Sequence, residues 1–122
     1  TRRGISSLLD RDGVKYLKKE IETKRLDTFI NDKKIKEIDL LKIDVEGFSY
    51  EVLDGFGDKL NIVKSIHIEC EHIPVWKDQK TYPYVEEILI KNNFILVDIR
   101  AAWPQSDSIW VRKDLYNPKW WY

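Results

Sequence analysis

The sequence predicts an α/β fold with a parallel βαβ core and a C-terminal antiparallel strand pair. The first observation is the order of strand, helix and strand between residues 38 and 70, which is typical of a βαβ unit. The second is a pair of strand-like segments, 94–100 and 108–113, whose short connection makes them antiparallel neighbours. Together they predict a three-layer α/β fold with one reversed strand.

The βαβ unit begins with "IDLLKID" (38–44), whose nearly continuous apolar residues are typical of a parallel strand covered on both faces. The crossover helix is indicated by apolar residues at helical spacing, namely Phe48, Val52, Leu53 and Phe56. It is expected to end near Gly55 or Gly57, either of which can adopt the left-handed conformation. "IVKSIHIEC" (62–70) is the second strand.

The segments before this unit carry weaker patterns. Residues 1–13 are rich in turn formers and predict irregular structure. In 14–23 strand and helix compete, and we favour a strand. Residues 25–32 predict a short helix.

A third helix follows the βαβ unit. Thr81 is its candidate N-cap and Pro83 lies in its first turn. A stripe of Val85, Ile88 and Leu89 is expected to be buried, and Asn92-Asn93 ends the helix. The aromatic tail 114–122 has no period, so it is either a docked terminus or an exposed surface.

Composition restricts the function classes. The 122 residues suffice for one domain, and the 21 basic and 21 acidic residues give no reason to expect a nucleic-acid or membrane partner. Cys70 is the one cysteine, so it predicts a small core residue and a reducing, cytoplasmic compartment. The chain starts at Thr1 and contains no methionine, which favours a piece of a longer protein over trimming of an initiator.

Acidic residues follow both strands of the βαβ unit. Asp44 and Glu46 come after the first strand, and Glu69, Glu71 and His72 occupy the same end of the second. Ligands of open α/β sheets bind at the carboxyl ends of parallel strands, so we expect these side chains to share one edge of a cleft. The alternative for Asp44 and Glu46 is structural, since acidic residues before a helix cap its amides and complement its dipole.

Alternation along the second strand places Ser65, His67, Glu69 and Glu71 on one face. A buried carboxylate at Glu69 requires either a site or a paired network, because an unpaired buried charge costs several kcal/mol. We expect His67, in mid-strand, to be packed and hydrogen-bonded.

Two further interpretations stay open. Asp44, Glu69, Glu71 and His72 could together bind Mg, Mn or Fe in a metal-dependent hydrolase, although their spacing matches no tight ligand motif and no metal is expected. Trp76, Tyr82 and Tyr84 could line a pocket, and the loop 75–84 could then serve a noncatalytic module that binds a glycan or a protein partner.

"LLKIDVEGFSYEVLDG" and "SIHIECE", with the later "NNFILVDI" and "DSIWVRKDL", resemble the FkbM-type family of S-adenosylmethionine-dependent methyltransferases. The resemblance covers roughly residues 24–115. It implies a Rossmann-like methyltransferase sheet with an antiparallel terminal strand, and a transfer of the methyl group of S-adenosylmethionine, often to a hydroxyl oxygen. The expected acceptor is a hydroxyl on a sugar or another small metabolite.

The resemblance also implies roles for the residues of the edge. Asp44 matches the acidic strand end that lines the cofactor cleft, so it is a cofactor-binding and catalytic candidate. Glu46 and Glu69 are candidates for binding substrate or removing its proton. Glu71, His72 and Trp76 are expected to contact substrate.

One departure from the family pattern changes the expectation for the whole chain. The strand and glycine-rich turn that should hold the methionine part of the cofactor are not found, and Gly55-Phe56-Gly57 follows a helix instead. We therefore expect residues 1–122 to be the C-terminal part of a class I methyltransferase domain. Such a piece should bind S-adenosylmethionine weakly and leave a sheet edge exposed.

Overall fold

The computed structural model describes residues 6–121, and side chains through residue 119. Its helices and strands, in chain order, are α1 (Leu26–Lys33), β1 (Ile38–Ile43), α2 (Ser49–Asp54), β2 (Val63–Glu71), α3 (Tyr82–Lys91), β3 (Phe94–Ala102) and β4 (Gln105–Arg112). Short 3-10 helices span Gly57–Ile62 and Pro118–Trp121. The predicted first helix, βαβ unit, third helix and terminal strand pair are therefore confirmed.

Within residues 6–121 the strands form one four-stranded sheet in the order β1-β2-β4-β3. β1 and β2 are parallel, whereas β4 runs antiparallel to both of its neighbours, β2 and β3. The last strand thus lies inside the sheet. The hairpin between β3 and β4 is tighter than predicted, because both strands extend into the segment assigned to the connection and leave only Trp103 and Pro104 between them.

The core lies between the helices and one face of the sheet. Ile66, Ile68 and Cys70 of β2 are buried, while Ser65, His67 and Glu69 are half-buried, as the alternation predicts. The largest fully buried side chains include Leu53 of α2, Leu89 of α3 and Trp110 of β4. Burial of Val85 and Leu89 confirms the predicted stripe of α3, although Ile88 is only partly buried.

The predicted covering of β1 on both faces is wrong for the residues described. Leu40 is 62% exposed, and β1 pairs with β2 alone. The helices among residues 6–121 lie on the other face, so the three-layer arrangement is not present in this part of the chain. The apolar run "IDLLKI" therefore leaves an open sheet edge, as expected.

The predicted strand over 14–23 is also wrong. These residues have no regular secondary structure and are exposed, because they pair with no strand of the sheet. Residues 6–13 are irregular as predicted, and residues 1–5 lie outside the described part.

Helix ends follow the predictions in part. Gly57 has a φ of 53°, whereas Gly55 ends α2 with a right-handed φ of −64°. Thr81 occupies the N-cap of α3, but its side chain makes no capping hydrogen bond. None of the described helices is long and apolar enough to cross a membrane.

Candidate functional site at the carboxyl edge of β1 and β2

Three carboxylates meet at the carboxyl ends of the parallel strands. Ile43 of β1 is in register with Ile68 of β2, so Asp44 follows β1 beside Glu69. One carboxylate oxygen from each of Asp44, Glu46 and Glu69 lies within 4.8 Å of the other two. The structure therefore brings these three predicted residues into one cluster, the carboxylate edge.

An unusual backbone turn carries Glu46 to this edge. Glu46 has a φ of 44° and Gly47 a φ of 88°, both in the left-handed region. The Glu46 carbonyl accepts a hydrogen bond from Ser7 Oγ. A β-carbon at Gly47 would overlap the ring of Trp76, so glycine is required for both the dihedral angle and the contact.

The structural alternative for Asp44 and Glu46 was that they cap the following helix, and neither side chain does so. Phe48 is the N-cap of α2, and that helix has no side-chain capping hydrogen bond. Instead Ser49 Oγ, at the first turn of α2, donates a hydrogen bond to the Glu69 carbonyl at 2.8 Å. This bond fixes the start of α2 to the end of β2. It thereby also holds the turn of Glu46 and Gly47, which precedes α2.

Burial and, after it, the charges of neighbouring carboxylates change the acidity of Glu46 and Glu69. Partial burial raises the pKa of Glu69, and the charges of Asp44 and Glu46 raise it further. Burial followed by the charges of Glu71 and Asp44 likewise raises the pKa of Glu46. Glu46 and Glu69 therefore hold a proton more strongly than they would in water.

Two glutamines that the sequence analysis missed support the edge. Glu71 is only 3% exposed, and its Oε2 accepts a hydrogen bond from Gln79 Nε2 at 2.5 Å. Gln79 Oε1 also accepts hydrogen bonds from the backbone amides of Val75 and Trp76. Glu71 is therefore a buried and fully partnered residue that ties the loop after β2 to the strand.

The second glutamine, Gln105 of β4, joins two acidic residues. Its Nε2 lies 3.2 Å from Glu69 Oε1 and 3.4 Å from Glu71 Oε1. Gln105 pairs with Glu71 in the sheet register. The signal that could have found it is the run of four polar residues "QSDS" at the start of β4, but its relevance depends on knowing that β4 lies next to β2.

A second polar cluster lies on the half-open face of the sheet. Asp107 Oδ1 is 2.9 Å from His67 Nε2 and 3.3 Å from Lys42 Nζ. Burial alone would raise the pKa of Asp107, but the hydrogen bonds from His67 and Lys42 outweigh it and lower that pKa. The predicted hydrogen bond of His67 is confirmed, although its side chain is half-exposed rather than packed.

His72 does not join the carboxylates. Its ring hydrogen-bonds to Ser106 Oγ at 2.8 Å and stacks on Tyr82, with 4.8 Å between ring centroids. The ligand group that the described residues assemble consists of Asp44, Glu46 and Glu69, so the metal set that included Glu71 and His72 is not formed.

The three aromatic candidates contact different residues. Trp76 contacts Gly47 at the carboxylate edge. Tyr84 packs edge-on against Tyr50, at a centroid distance of 6.2 Å, and Tyr82 is buried. The three rings therefore have different contact partners, and their role as walls of one pocket stays a prediction.

Other features behave as structural elements. Cys70 is buried in the core as predicted, and burial raises the pKa of its thiol to about 12. Two surface depressions among the described residues lie at the opposite end of the sheet, around Asn93 and Lys113. Neither includes a residue of the carboxylate edge.

Comparisons with known proteins identify the family. Residues 3–96 match the family described as the methyltransferase FkbM domain. The chain is also 30% identical over 96 residues to the methyltransferase sdnD of Sordaria araneosa. This alignment covers 71% of the chain but only 35% of that relative, so the chain spans about a third of its length. No solved structure gives a significant match. Because the family match covers most of the chain and includes β1, β2 and the carboxylate edge, the chain belongs to the FkbM methyltransferase family.

Proposed function

We propose that this chain is part of an S-adenosylmethionine-dependent methyltransferase that methylates a hydroxyl oxygen of a sugar or another small metabolite. The observation that carries the proposal is the convergence of Asp44, Glu46 and Glu69 at the carboxyl edge of two parallel strands. In sheets of this kind that edge is where ligands bind.

The negative charge of the carboxylate edge is complementary to the positive charge of the cofactor. S-adenosylmethionine supplies, when bound, a methyl group on a positively charged sulfur. The carboxylate edge is anionic, and Asp44 is the residue assigned to hold the cofactor there. Trp76 Nε1 is buried and has no hydrogen-bond acceptor among residues 6–121, so it offers a donor to a ligand. No described strand is followed by a Gly-x-Gly turn, so these residues would supply one side of the pocket.

Glu69 is the proposed general base. Transfer to a hydroxyl oxygen forms a C–O bond, and the hydroxyl proton must leave to a nearby acceptor. The raised pKa of Glu69 makes its carboxylate a stronger base, and Gln105 fixes the orientation of that carboxylate. Glu46, whose pKa is also raised, would accept a hydrogen bond from a second hydroxyl of the substrate and so align the reacting one.

The cofactor assignment is tested by calorimetric titration of S-adenosylmethionine into this chain and into a longer polypeptide extended at its N-terminus. We expect weak or undetectable binding by the 122-residue chain and binding by the longer one that Asp44→Asn weakens. Equally tight binding by both would contradict the proposal that these residues supply only one side of the cofactor pocket.

The catalytic assignment is tested in the extended polypeptide by following methyl transfer with mass spectrometry. Glu69→Gln should slow transfer about 10²–10⁴-fold, the usual contribution of a general base, while cofactor affinity stays within a few-fold. Methylation at nitrogen or carbon, or full activity of the Glu69→Gln variant, would overturn the assignment.

A further inference from the structure

The tip of the β3–β4 hairpin exposes a large aromatic ring. Trp103 lies between the two strands and is 72% exposed. Trp110, by contrast, is buried in the core and donates a hydrogen bond to Ser108 Oγ. Trp103 is therefore not needed to fill the interior.

The exposed ring is nonetheless held in place. The ring of His72 lies nearly parallel to it, with 6.0 Å between centroids and 23° between planes. His72 also stacks on Tyr82, which is 8% exposed and belongs to α3. The three rings form a stack, the aromatic stack, whose innermost ring is buried and whose outermost ring lies in solvent.

Hydrogen bonds fix the middle of this stack. His72 Nε2 lies 2.8 Å from Ser106 Oγ, and the His72 backbone amide donates to the Pro104 carbonyl at 2.8 Å. These contacts join the hairpin tip to the loop after β2. The outer ring is thus preorganised, and preorganisation lowers the entropic cost of binding a ligand.

The aromatic stack lies at the same end of the sheet as the carboxylate edge. His72 directly follows Glu71, and Gln105, two residues after Trp103, donates a hydrogen bond to Glu69. An exposed apolar ring and an orientable hydrogen-bond acceptor are therefore presented at the same end of the sheet. This combination is characteristic of small-molecule sites, where a few polar groups orient a ligand against aromatic walls.

We propose that Trp103 binds the acceptor substrate by stacking against the ring of a pyranose sugar. The inference rests on the proposed transfer to a hydroxyl oxygen. A pyranose has a face of C–H groups, which packs on the negative face of an indole, and a rim of hydroxyls, which donate to carboxylates such as Glu69. His72 and Tyr82 are positioning residues that hold the indole.

The test needs no cofactor and uses the chain as it is. Methyl β-glucopyranoside is titrated into the ¹⁵N-labelled chain while the indole N–H signals are followed by NMR. We expect the Trp103 signal to shift saturably at millimolar sugar, an affinity of about 4 kcal/mol. Trp103→Ala should abolish the response of the neighbouring His72 amide, and Trp103→Phe should retain part of it.

Matched controls separate stacking from exposure. Leu17→Ala removes a fully exposed apolar side chain from the irregular segment 14–23 and should leave the titration unchanged. Glycerol, which has hydroxyls but no ring face, should produce no saturable shift. If adenosine shifts Trp103 and the sugar does not, or if neither does, the proposal is overturned. Either failure leaves the cofactor titrations intact, because they report on Asp44 and not on Trp103.

Discussion

The indole of Trp76 lies so close to Gly47 that a β-carbon on Gly47 would overlap its Cδ1 atom. This contact joins the turn after β1 to the loop after β2, and both segments carry predicted site residues. The conformation of the carboxylate edge therefore depends on a residue without a side chain.

Gly47→Ala should destabilise the fold through two effects. The positive φ costs about 1–2 kcal/mol for an alanine, and displacement of the Trp76 ring adds a similar amount. Gly13→Ala is the matched control, because Gly13 has a φ of 73° but no atom within 4 Å of its β-carbon position. Urea unfolding should show the larger loss for Gly47→Ala, and equal losses would contradict the proposed overlap.

Stability should depend on pH through Glu69. The folded state raises the pKa of Glu69, so it binds that proton more strongly than the unfolded chain does. The folded state is therefore favoured at acidic pH, and this contribution is lost as the pH rises from the unfolded pKa through the raised folded pKa. Glu69→Gln should raise the melting temperature at neutral pH, with the difference shrinking towards acid.

Thermal melts across a pH series measure this effect. Glu87→Gln, which removes an exposed carboxylate on α3, is the control and should leave the pH dependence nearly unchanged. A Glu69→Gln variant that is less stable than the parent at neutral pH would show that the hydrogen bond from Gln105 outweighs burial and repulsion.

The buried pair of Glu71 and Gln79 predicts strong coupling. Gln79→Leu removes the 2.5 Å donor to Glu71 and the acceptor of two backbone amides, so it should cost about 3 kcal/mol. Glu71→Leu combined with Gln79→Leu should recover part of that loss, because no buried carboxylate is then left unpaired. Additive effects in the double-mutant cycle would contradict a direct interaction.

The two sides of the sheet should respond differently to truncation. Leu53→Ala opens a cavity at a fully buried position of α2 and should cost about 2–5 kcal/mol. Leu40→Ala, on the open side of β1, should change stability by less than about 1 kcal/mol, since that side chain is mostly exposed. Chemical denaturation of both variants measures the two losses of unfolding free energy. A similar loss at both sites would mean that another segment covers Leu40.

The sequence predicts local elements and the carboxylate edge well for a physical reason. Hydrophobic periodicity reports helices and strands directly, and parallel pairing of β1 with β2 necessarily brings Asp44 near Glu69. The failures concern partners that are distant in the chain. The apolar pattern of β1 predicts a covered strand, but it cannot report whether the covering segment lies within these residues.

The same limitation explains the residues that were missed. Gln105, Asp107 and Trp103 acquire their positions from the insertion of β4 beside β2, an arrangement that no local pattern encodes. Gln79 is a loop residue whose importance depends on the burial of Glu71. His72 was grouped with the acidic residues by chain position, whereas its contacts to Tyr82 and Ser106 place its ring in the aromatic stack.

The interior position of β4 also determines when the sheet can be completed during synthesis. β2 gains its second neighbour only after residues 105–111 have been made, because those residues pair with 65–71. A nascent chain that ends before β4 therefore presents β2 and β3 with unsatisfied backbone groups, a state that is prone to association with other chains. The ribosome must release almost the whole of this segment before its hydrogen-bond ladder can close.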